Sequence, residues 1–125
     1  MKKFDAAAVR RIGRATEMLK GKWTVLILCA MLDGPVRLSQ LRRTIPGASK
    51  KALTANLRWL EKAHIILRQD LSNATLHVEY KLVDAARATV LALVNQLAEF
   101  HRLQGTARLE VGIRRRNQPS ENSAD

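Results

Sequence analysis

The stretch GASKKALTANLRWLEKAHII, residues 47–66, decides the fold because it describes a helix with two opposed faces. Its leucines, at positions 53, 57 and 60, fall on one side of a helix that turns by about 100° per residue. The opposite side carries Lys51, Arg58 and Lys62, with Thr54 and the small Ala55 beside them. We therefore expect the leucine face to be buried, and the basic face to be either a solvated surface or a surface that touches a partner.

The residues before this helix predict a helix-turn-helix over residues 38–63. Ser49 is a typical N-cap, and Pro46 with Gly47 would end the preceding helix. That shorter helix is predicted over about residues 39–44, with Ser39 as its N-cap. Its inward side chains would be those of Leu38, Leu41 and Ile45.

The hydrophobic period changes after this pair of helices. Apolar and polar residues alternate in LHVEYKL, and the segment IILRQDL before it also has the composition of a strand. The residues SNAT at 72–75 read as the turn between them, which predicts a hairpin over residues 65–82. Two short helices with a tight turn, followed by a hairpin, are typical of a winged helix-turn-helix.

A helix is predicted on each side of this region. Asp5 can cap a first helix over residues 5–20, and a last helix is expected over residues 84–104. The segment KWTVLILCAML is apolar almost all round, which predicts a buried second helix that encloses Cys29. The expected fold is mainly α with a small β-hairpin (α+β), in one domain over residues 1–104 and with a flexible tail over 105–125.

The chain is strongly basic. It has 125 residues, with 22 Lys and Arg against 11 Asp and Glu, and a net charge of +11. Such a domain usually meets an anionic partner, which could be nucleic acid, an acidic protein or a charged membrane surface. Seven basic residues and one acidic residue between positions 36 and 62 give this segment a charge of +6. Because a surface that only confers solubility normally mixes both signs, we interpret the segment as a binding surface.

The outward face of the helix over 49–63 has the side chains that major-groove insertion needs. Lys51, Thr54 and Arg58 could reach base edges or phosphates, and the sequence leaves open which of them does either. A wing would contact the backbone or a minor groove through residues of the hairpin. The predicted DNA-binding set from this pattern is Ser39, Arg42, Arg43, Lys51, Thr54, Ala55, Arg58, Lys62, Arg68, Asn73 and His77.

The first and last helices carry wide apolar stripes, which one small domain can hardly cover. Burial against a second copy would solve this, and it predicts a homodimer that presents two helices about one DNA turn apart to a pseudo-palindromic site. Packing within one chain is the alternative. The predicted dimer residues are Val9, Ile12, Leu19, Val90, Leu93, Val94, Leu97 and Phe100.

Three segments together resemble the HxlR-type transcriptional regulators, which are relatives of the MarR group. These segments are GKWTVLIL at 21–28, GPVRLSQLRRTIPGASKKALTANLRWLEKAHII at 34–66 and VEYKL at 78–82. The resemblance covers about residues 13–100, and it implies a winged helix-turn-helix homodimer that binds operator DNA. It further implies that the first and last helices build the dimer, that Ser49 and Lys50 lie on the recognition helix and that residues 68–77 form the wing.

This chain departs from the resembled family at two informative positions. Members often have a glycine after the recognition helix, where this chain has His64. Redox-sensing members carry a cysteine near the start of the first helix, where this chain has Arg10. The single Cys29 is expected to be a small core residue instead.

Other classes of protein fit the sequence less well. The histidines, at 64, 77 and 101, are scattered, and no catalytic, phosphate-binding or metal-binding motif has the required spacing, so no enzyme, metal or cofactor is expected. No apolar run reaches the roughly 18 residues of a membrane span, and one cysteine fits a reducing cytoplasm. No motif identifies a small-molecule effector.

The expected function is therefore that of a sequence-specific DNA-binding transcriptional regulator. Two alternatives stay open: a non-specific nucleic-acid-binding or architectural protein, and a module that binds an acidic protein. A marked preference for one duplex over others would separate the first function from both alternatives.

Overall fold

The computed structural model describes residues 4–117; residues 1–3 and 118–125 lie outside the described part. It contains five helices and two strands within that part. In chain order they are α1 (Ala6–Met18), α2 (Thr24–Ala30), α3 (Leu38–Thr44), α4 (Lys50–Lys62), β1 (Ile66–Asp70), β2 (Val78–Leu82) and α5 (Asp84–Asn117). The predicted fold class, mainly α with a small β-hairpin, is confirmed.

The chain divides into two compact units, the first ending at Leu91 and the second beginning at Ala92. The first unit contains α1 to α4, the hairpin and the start of α5, and the second is the remainder of α5. The sequence predicts one domain over residues 1–104, and this range extends across the boundary between the two units.

The core belongs to the first unit and joins the helix-turn-helix to the hairpin. Its members are buried aliphatic side chains from α2 to the start of α5: Ile27, Leu28, Met31, Leu41, Ile45, Leu53, Leu57, Leu60, Ile66, Leu82 and Val90. The leucine face predicted for residues 47–66 is thus confirmed, with at most 1% of each of its three leucines exposed. Burial of such side chains is the main stabilising contribution to a fold of this size.

Side-chain caps begin two of the helices as predicted. The Asp5 carboxylate accepts a hydrogen bond from the Ala8 N–H at 2.8 Å, and the Ser49 hydroxyl accepts one from the Ala52 N–H at 3.0 Å. The N-cap predicted at Ser39 is wrong, because α3 begins one residue earlier, at Leu38. Arg37 occupies the cap position, and its N–H donates to the Gln40 side chain at 2.7 Å.

The hairpin forms as an antiparallel pair, with Ile66 opposite Leu82 and Asp70 opposite Val78. The predicted turn lies within the connection of residues 71–77. Val36, just before α3, pairs with Tyr80 through two backbone hydrogen bonds of 2.8 Å. The hairpin is therefore tied directly to the start of the helix-turn-helix.

The prediction of an all-round buried second helix is wrong. Only one side of α2 is buried, through Thr24, Ile27 and Leu28, whereas Leu26 is 50% exposed. Cys29 is also exposed and is therefore not the core residue that the sequence predicts. Because α2 has apolar side chains on both of its sides, its sequence does not show which side is buried. The packing of the other elements against α2 decides this.

The last helix is longer than predicted. It continues to Asn117 instead of ending near residue 104, so residues 105–117 are helical and not a tail. Gly105 and Gly112 each lower helix stability by about 1 kcal/mol, but no proline follows before Pro119, and Gln, Ala, Arg and Leu nearby are good helix formers. The rest of the predicted tail, residues 118–125, lies outside the described residues.

Candidate nucleic-acid interface

The interface is built on the corner between α3 and α4, which the connection of residues 45–49 forms. Gly47 has a φ of +94° in this connection, a conformation that other residues rarely adopt. The Ser49 cap then starts α4 immediately after the turn. The predicted helix-turn-helix over residues 38–63 is thus present, with α3 as its first helix and α4 as its second.

The face of α4 opposite the buried leucines is open to solvent. Its exposed members are Lys51, Ala55, Arg58 and Lys62, and Thr54 is half-buried beside them. Ser49 and Lys50 are also exposed, at the N-terminal end of the helix. The only acid of this helix, Glu61, is also exposed. The structure therefore brings together the predicted recognition-helix residues on one cationic surface, as major-groove contacts require.

The basic residues of α3 are likewise exposed. Arg42 and Arg43 lie in its last turn, and Ser39 lies in its first. Each arginine carries a guanidinium that can donate several hydrogen bonds to phosphate oxygens. α3 thus adds two positive charges to the surface that α4 provides.

The wing places Arg68 and Asn73 in exposed positions, Arg68 on β1 and Asn73 in the connection after it. The connection is ordered by Asp70, whose carboxylate accepts a hydrogen bond from the Ser72 N–H at 2.9 Å. Hydrogen bonds from the Ser72 side chain and backbone hold the pKa of Asp70 below its ordinary value, and the positive charge of Arg68 acts in the same direction. The wing therefore keeps a negative charge near the predicted contact residues.

His77 is less available than the sequence suggests. Its ring Nε2 lies 2.9 Å from the Glu79 carboxylate, and the side chain is 39% exposed. Glu79 does not belong to the predicted contact residues, although its place two residues from His77 in an extended segment puts both side chains on one side of the chain. A phosphate would have to compete with this carboxylate for the ring.

Arg37 also lies outside the predicted contact residues, although it belongs to the basic segment. Its guanidinium donates a hydrogen bond to the Leu76 carbonyl at 3.2 Å. It also lines a cavity of about 300 Å³ between α3 and the wing, together with Leu38, Ser39, Arg68, Leu76, Val78 and Tyr80. The pairing of Val36 with Tyr80, visible only in the structure, is what brings Arg37 to the wing.

The residues predicted for a dimer differ in their exposure. Val9 and Ile12 of α1 are 57% and 50% exposed, and Leu19 is half-buried. In the second unit, Leu97 is 44% and Phe100 75% exposed, whereas Leu93 and Val94 are half-buried. Val90 is only 6% exposed and belongs to the core of the first unit, which leaves little of its side chain for contact with a second chain.

Two further observations concern residues 4–117 as a whole. Their His, Cys, Asp and Glu side chains do not gather in groups of three that could hold a metal ion. Every helix of this part is too short or too polar to cross a membrane.

Sequence comparison assigns most of the chain to one family. The model of the HxlR-like helix-turn-helix family matches residues 18–108. An HTH-type transcriptional regulator of Methanothermobacter thermautotrophicus is 33% identical over 92 residues, which are 74% of this chain and 70% of that protein. The HTH-type transcriptional regulator YtcD of Bacillus subtilis is 38% identical over 72 residues, which are 58% of this chain and 57% of YtcD.

Solved structures show the same architecture. The redox regulator HypR in its reduced form is similar with a TM-score of 0.71 at 26% identity, over 80% of this chain and 98% of HypR. Quinone-bound YodB of Bacillus subtilis has a TM-score of 0.64 at 28% identity, over 75% of this chain and 98% of that chain. A MarR-family regulator from Enterococcus faecalis, at 22% identity and a TM-score of 0.71, shares the fold over 88% of this chain and 97% of its own.

The exposed cationic helix, the wing attached to the start of the helix-turn-helix and the family match agree with one another. The predicted resemblance to HxlR-type regulators is confirmed over residues 18–108. The chain belongs to the HxlR-like helix-turn-helix family, and it is a DNA-binding transcriptional regulator with a winged helix-turn-helix fold.

Proposed function

We propose that this regulator binds a pseudo-palindromic operator as a homodimer, with α4 in the major groove and the wing on the backbone or in the minor groove. The observation that carries the proposal is the division of α4 into a buried leucine face and an exposed basic face. A helix anchored in this way can insert its outward side chains into a groove without disturbing its own core.

The contact residues divide by their chemistry. Lys51, Thr54 and Arg58 lie on the face of α4 opposite the core, where base edges would be reached. Ser39, Arg42, Arg43, Ser49, Lys50, Lys62, Arg68 and Asn73 would hold phosphates or a minor groove around that contact. Ala55 has no polar group and would allow close approach.

The homodimer rests on apolar side chains that a single chain leaves in water. α1 exposes Val9 and Ile12, and the second unit exposes Leu97 and Phe100. Burial of apolar surface yields about 25 cal/mol for each Å² removed from water, which favours association with a second copy. We propose a cytoplasmic site of action and a binding function without catalysis, as expected of a regulator that acts on DNA.

Selection from a random pool of duplexes tests the proposal. At about 150 mM salt, the selected site should contain two inverted half-sites and bind at least ~10³-fold more tightly than a scrambled duplex. Equal affinity for all duplexes would favour a non-specific architectural protein. Absence of binding to any duplex would favour an acidic-protein partner.

Sedimentation of the free protein tests the dimer separately. The wild type should sediment as a dimer, and Phe100→Glu should shift it toward a monomer because a charge would enter an apolar contact. Leu109→Glu is a matched control on the same helix, since Leu109 is also exposed, at 68%, and lies outside the predicted dimer set. A wild-type monomer at concentrations that saturate DNA would contradict the homodimer.

A further inference from the structure

The recognition helix is held on one flank by a hydrogen bond to the end of α1. The indole Nε1 of Trp59 donates to the carbonyl of Met18 at 2.8 Å, and Met18 is the last residue of α1. The Trp59 side chain remains 39% exposed, so this contact is not a by-product of deep burial. Lys20 lies over the same ring, with its Nζ 5.7 Å from the ring centroid.

A second link joins α4 to the start of α2. Thr24 is fully buried, and its hydroxyl oxygen lies 2.6 Å from Asn56 Oδ1 and 2.7 Å from the Lys20 carbonyl. Since a hydroxyl has one proton, it donates to one of these acceptors at a time. Asn56 Nδ2 donates to the Ala52 carbonyl at 2.9 Å, which turns the amide oxygen toward Thr24.

The corner between α1 and α2 is shaped around this second link. Gly21 has a φ of +106°, and a Cβ atom at this position would lie 3.0 Å from Thr24 Oγ1 and 3.3 Å from Asn56 Oδ1. A side chain there would therefore strain the backbone and press on both partners of the hydrogen bond. The glycine leaves the space that brings Thr24 and Asn56 together.

These two hydrogen-bonded links restrain the rotation of α4 about its own axis, which the leucine core restrains only weakly. Apolar packing is non-directional, whereas hydrogen bonds depend on distance and angle. A helix with its side chains has a radius of about 5–6 Å, so a roll of about 20° moves a side-chain tip by about 2 Å. Such a shift exceeds the tolerance of a hydrogen bond to a base edge.

We propose that Thr24, Asn56 and Trp59 are positioning residues that set the rotation of α4 about its axis and thereby the base selectivity of the regulator. They act through α4, because Asn56 follows Ala55 and Trp59 follows Arg58 on the helix that carries the contact residues. The proposal rests on the proposed function, in which α4 reads bases in the major groove. Phosphate contacts tolerate a roll better than base contacts, since phosphates offer several oxygens along the backbone.

The experiment compares Thr24→Val with Thr24→Ser, and adds Trp59→Phe. Valine removes the hydroxyl at nearly constant shape, serine keeps it, and phenylalanine removes the indole N–H while keeping an aromatic ring. For each variant, affinity is measured for the selected site and for a scrambled duplex at about 150 mM salt. Thr24→Val and Trp59→Phe should lower the ratio of selected-site affinity to scrambled-duplex affinity by about tenfold or more. This is the discrimination that one good base contact provides.

The scrambled-duplex affinity should stay within about twofold of wild type in both variants, because the phosphate contacts remain. Thr24→Ser should keep the wild-type ratio. Ile27→Val, in the buried side of α2, is the control for lost stability alone. Loss of folded protein lowers both affinities equally and leaves their ratio unchanged.

Two results would overturn the proposal. One is an unchanged ratio in both Thr24→Val and Trp59→Phe while the wild type is selective. The other is an equal fall of the ratio in Ile27→Val. A wild type without selectivity would instead refute the proposed function itself, and with it any role for these residues in selectivity, so the two failures are distinguishable.

Discussion

The guanidinium of Arg37 donates a hydrogen bond to the carbonyl of Leu76 at 3.2 Å, and this bond joins the N-cap residue of α3 to the wing. Beside it, the two backbone hydrogen bonds between Val36 and Tyr80 hold the same junction. The wing is therefore attached to the helix-turn-helix through the residues that precede α3. Its position relative to α4 depends on this attachment.

Arg37→Ala is expected to weaken binding to all duplexes by about 3- to 10-fold, since it loses a hydrogen bond and one positive charge near the wing. Amide hydrogen exchange of residues 71–77 should also become faster. Arg11→Ala, an exposed arginine of α1, removes the same charge without the bond. Equal effects of the two substitutions on wing exchange would contradict a role for the Arg37–Leu76 contact.

Lys51→Ala and Arg58→Ala are expected to weaken operator binding while leaving the protein folded, because both side chains are exposed on α4. A lost base contact should cost about 1–3 kcal/mol of discrimination, and a lost phosphate contact should lower the salt slope by about 0.9. Affinity titrations at several salt concentrations separate the two roles. Full affinity in both variants would place the contact surface elsewhere.

Leu57→Ala is expected to lower the free energy of unfolding by roughly 2–5 kcal/mol, because it opens a cavity beneath the recognition helix. Leu57 is 1% exposed, whereas Leu26, at 50%, provides a control of the same residue type. Urea unfolding should show a much smaller loss for Leu26→Ala. Similar losses for both would mean that α4 is not anchored by its leucine face.

His64→Gly is expected to raise the free energy of unfolding by about 1 kcal/mol, since His64 has a φ of 60° in the left-handed region. The Ile65 N–H donates to the Leu60 carbonyl at 3.1 Å, a pattern that ends helices with glycine at this position. Thermal and urea unfolding measure the change. His64→Ala keeps the conformational strain and should bring no gain.

Ser72→Ala is expected to raise the pKa of Asp70 toward its ordinary value of 3.8, because the side-chain hydrogen bond that most lowers it is removed. In the wild type the folded pKa lies below the unfolded one, so the contact stabilises the wing above pH ~4 and is lost as the pH falls through the folded pKa. The NMR shift of the Asp70 carboxyl carbon reports the titration. An identical midpoint in both proteins would contradict the role of Ser72.

Local patterns were sufficient for much of this protein. Spacing alone identified the leucine face of α4, and residue chemistry alone identified the caps at Asp5 and Ser49. Both signals act within a few residues, so they need no knowledge of the rest of the chain. The alternation of apolar and polar residues in the hairpin is likewise a signal that acts within a few residues.

The burial of individual side chains was predicted less well, because it depends on what each residue packs against. The composition of α2 did not reveal that Cys29 would be exposed, and the stripe of α5 did not separate Val90, in the core, from Phe100, in solvent. The extent of α5 beyond Gly105 also differs from the prediction, because Gly105 and Gly112 weaken the helix without ending it.

The amino-acid order by itself determined the order and approximate position of the helices, the hairpin, the basic surface and the family of this regulator, because each arises from local periodicity, charge and motif. Only the tertiary structure decided that Trp59 meets Met18, that Thr24 meets Asn56 and that Arg37 reaches the wing. These partners are between 32 and 41 residues apart along the chain, and no local pattern specifies a hydrogen bond between side chains brought together by folding alone.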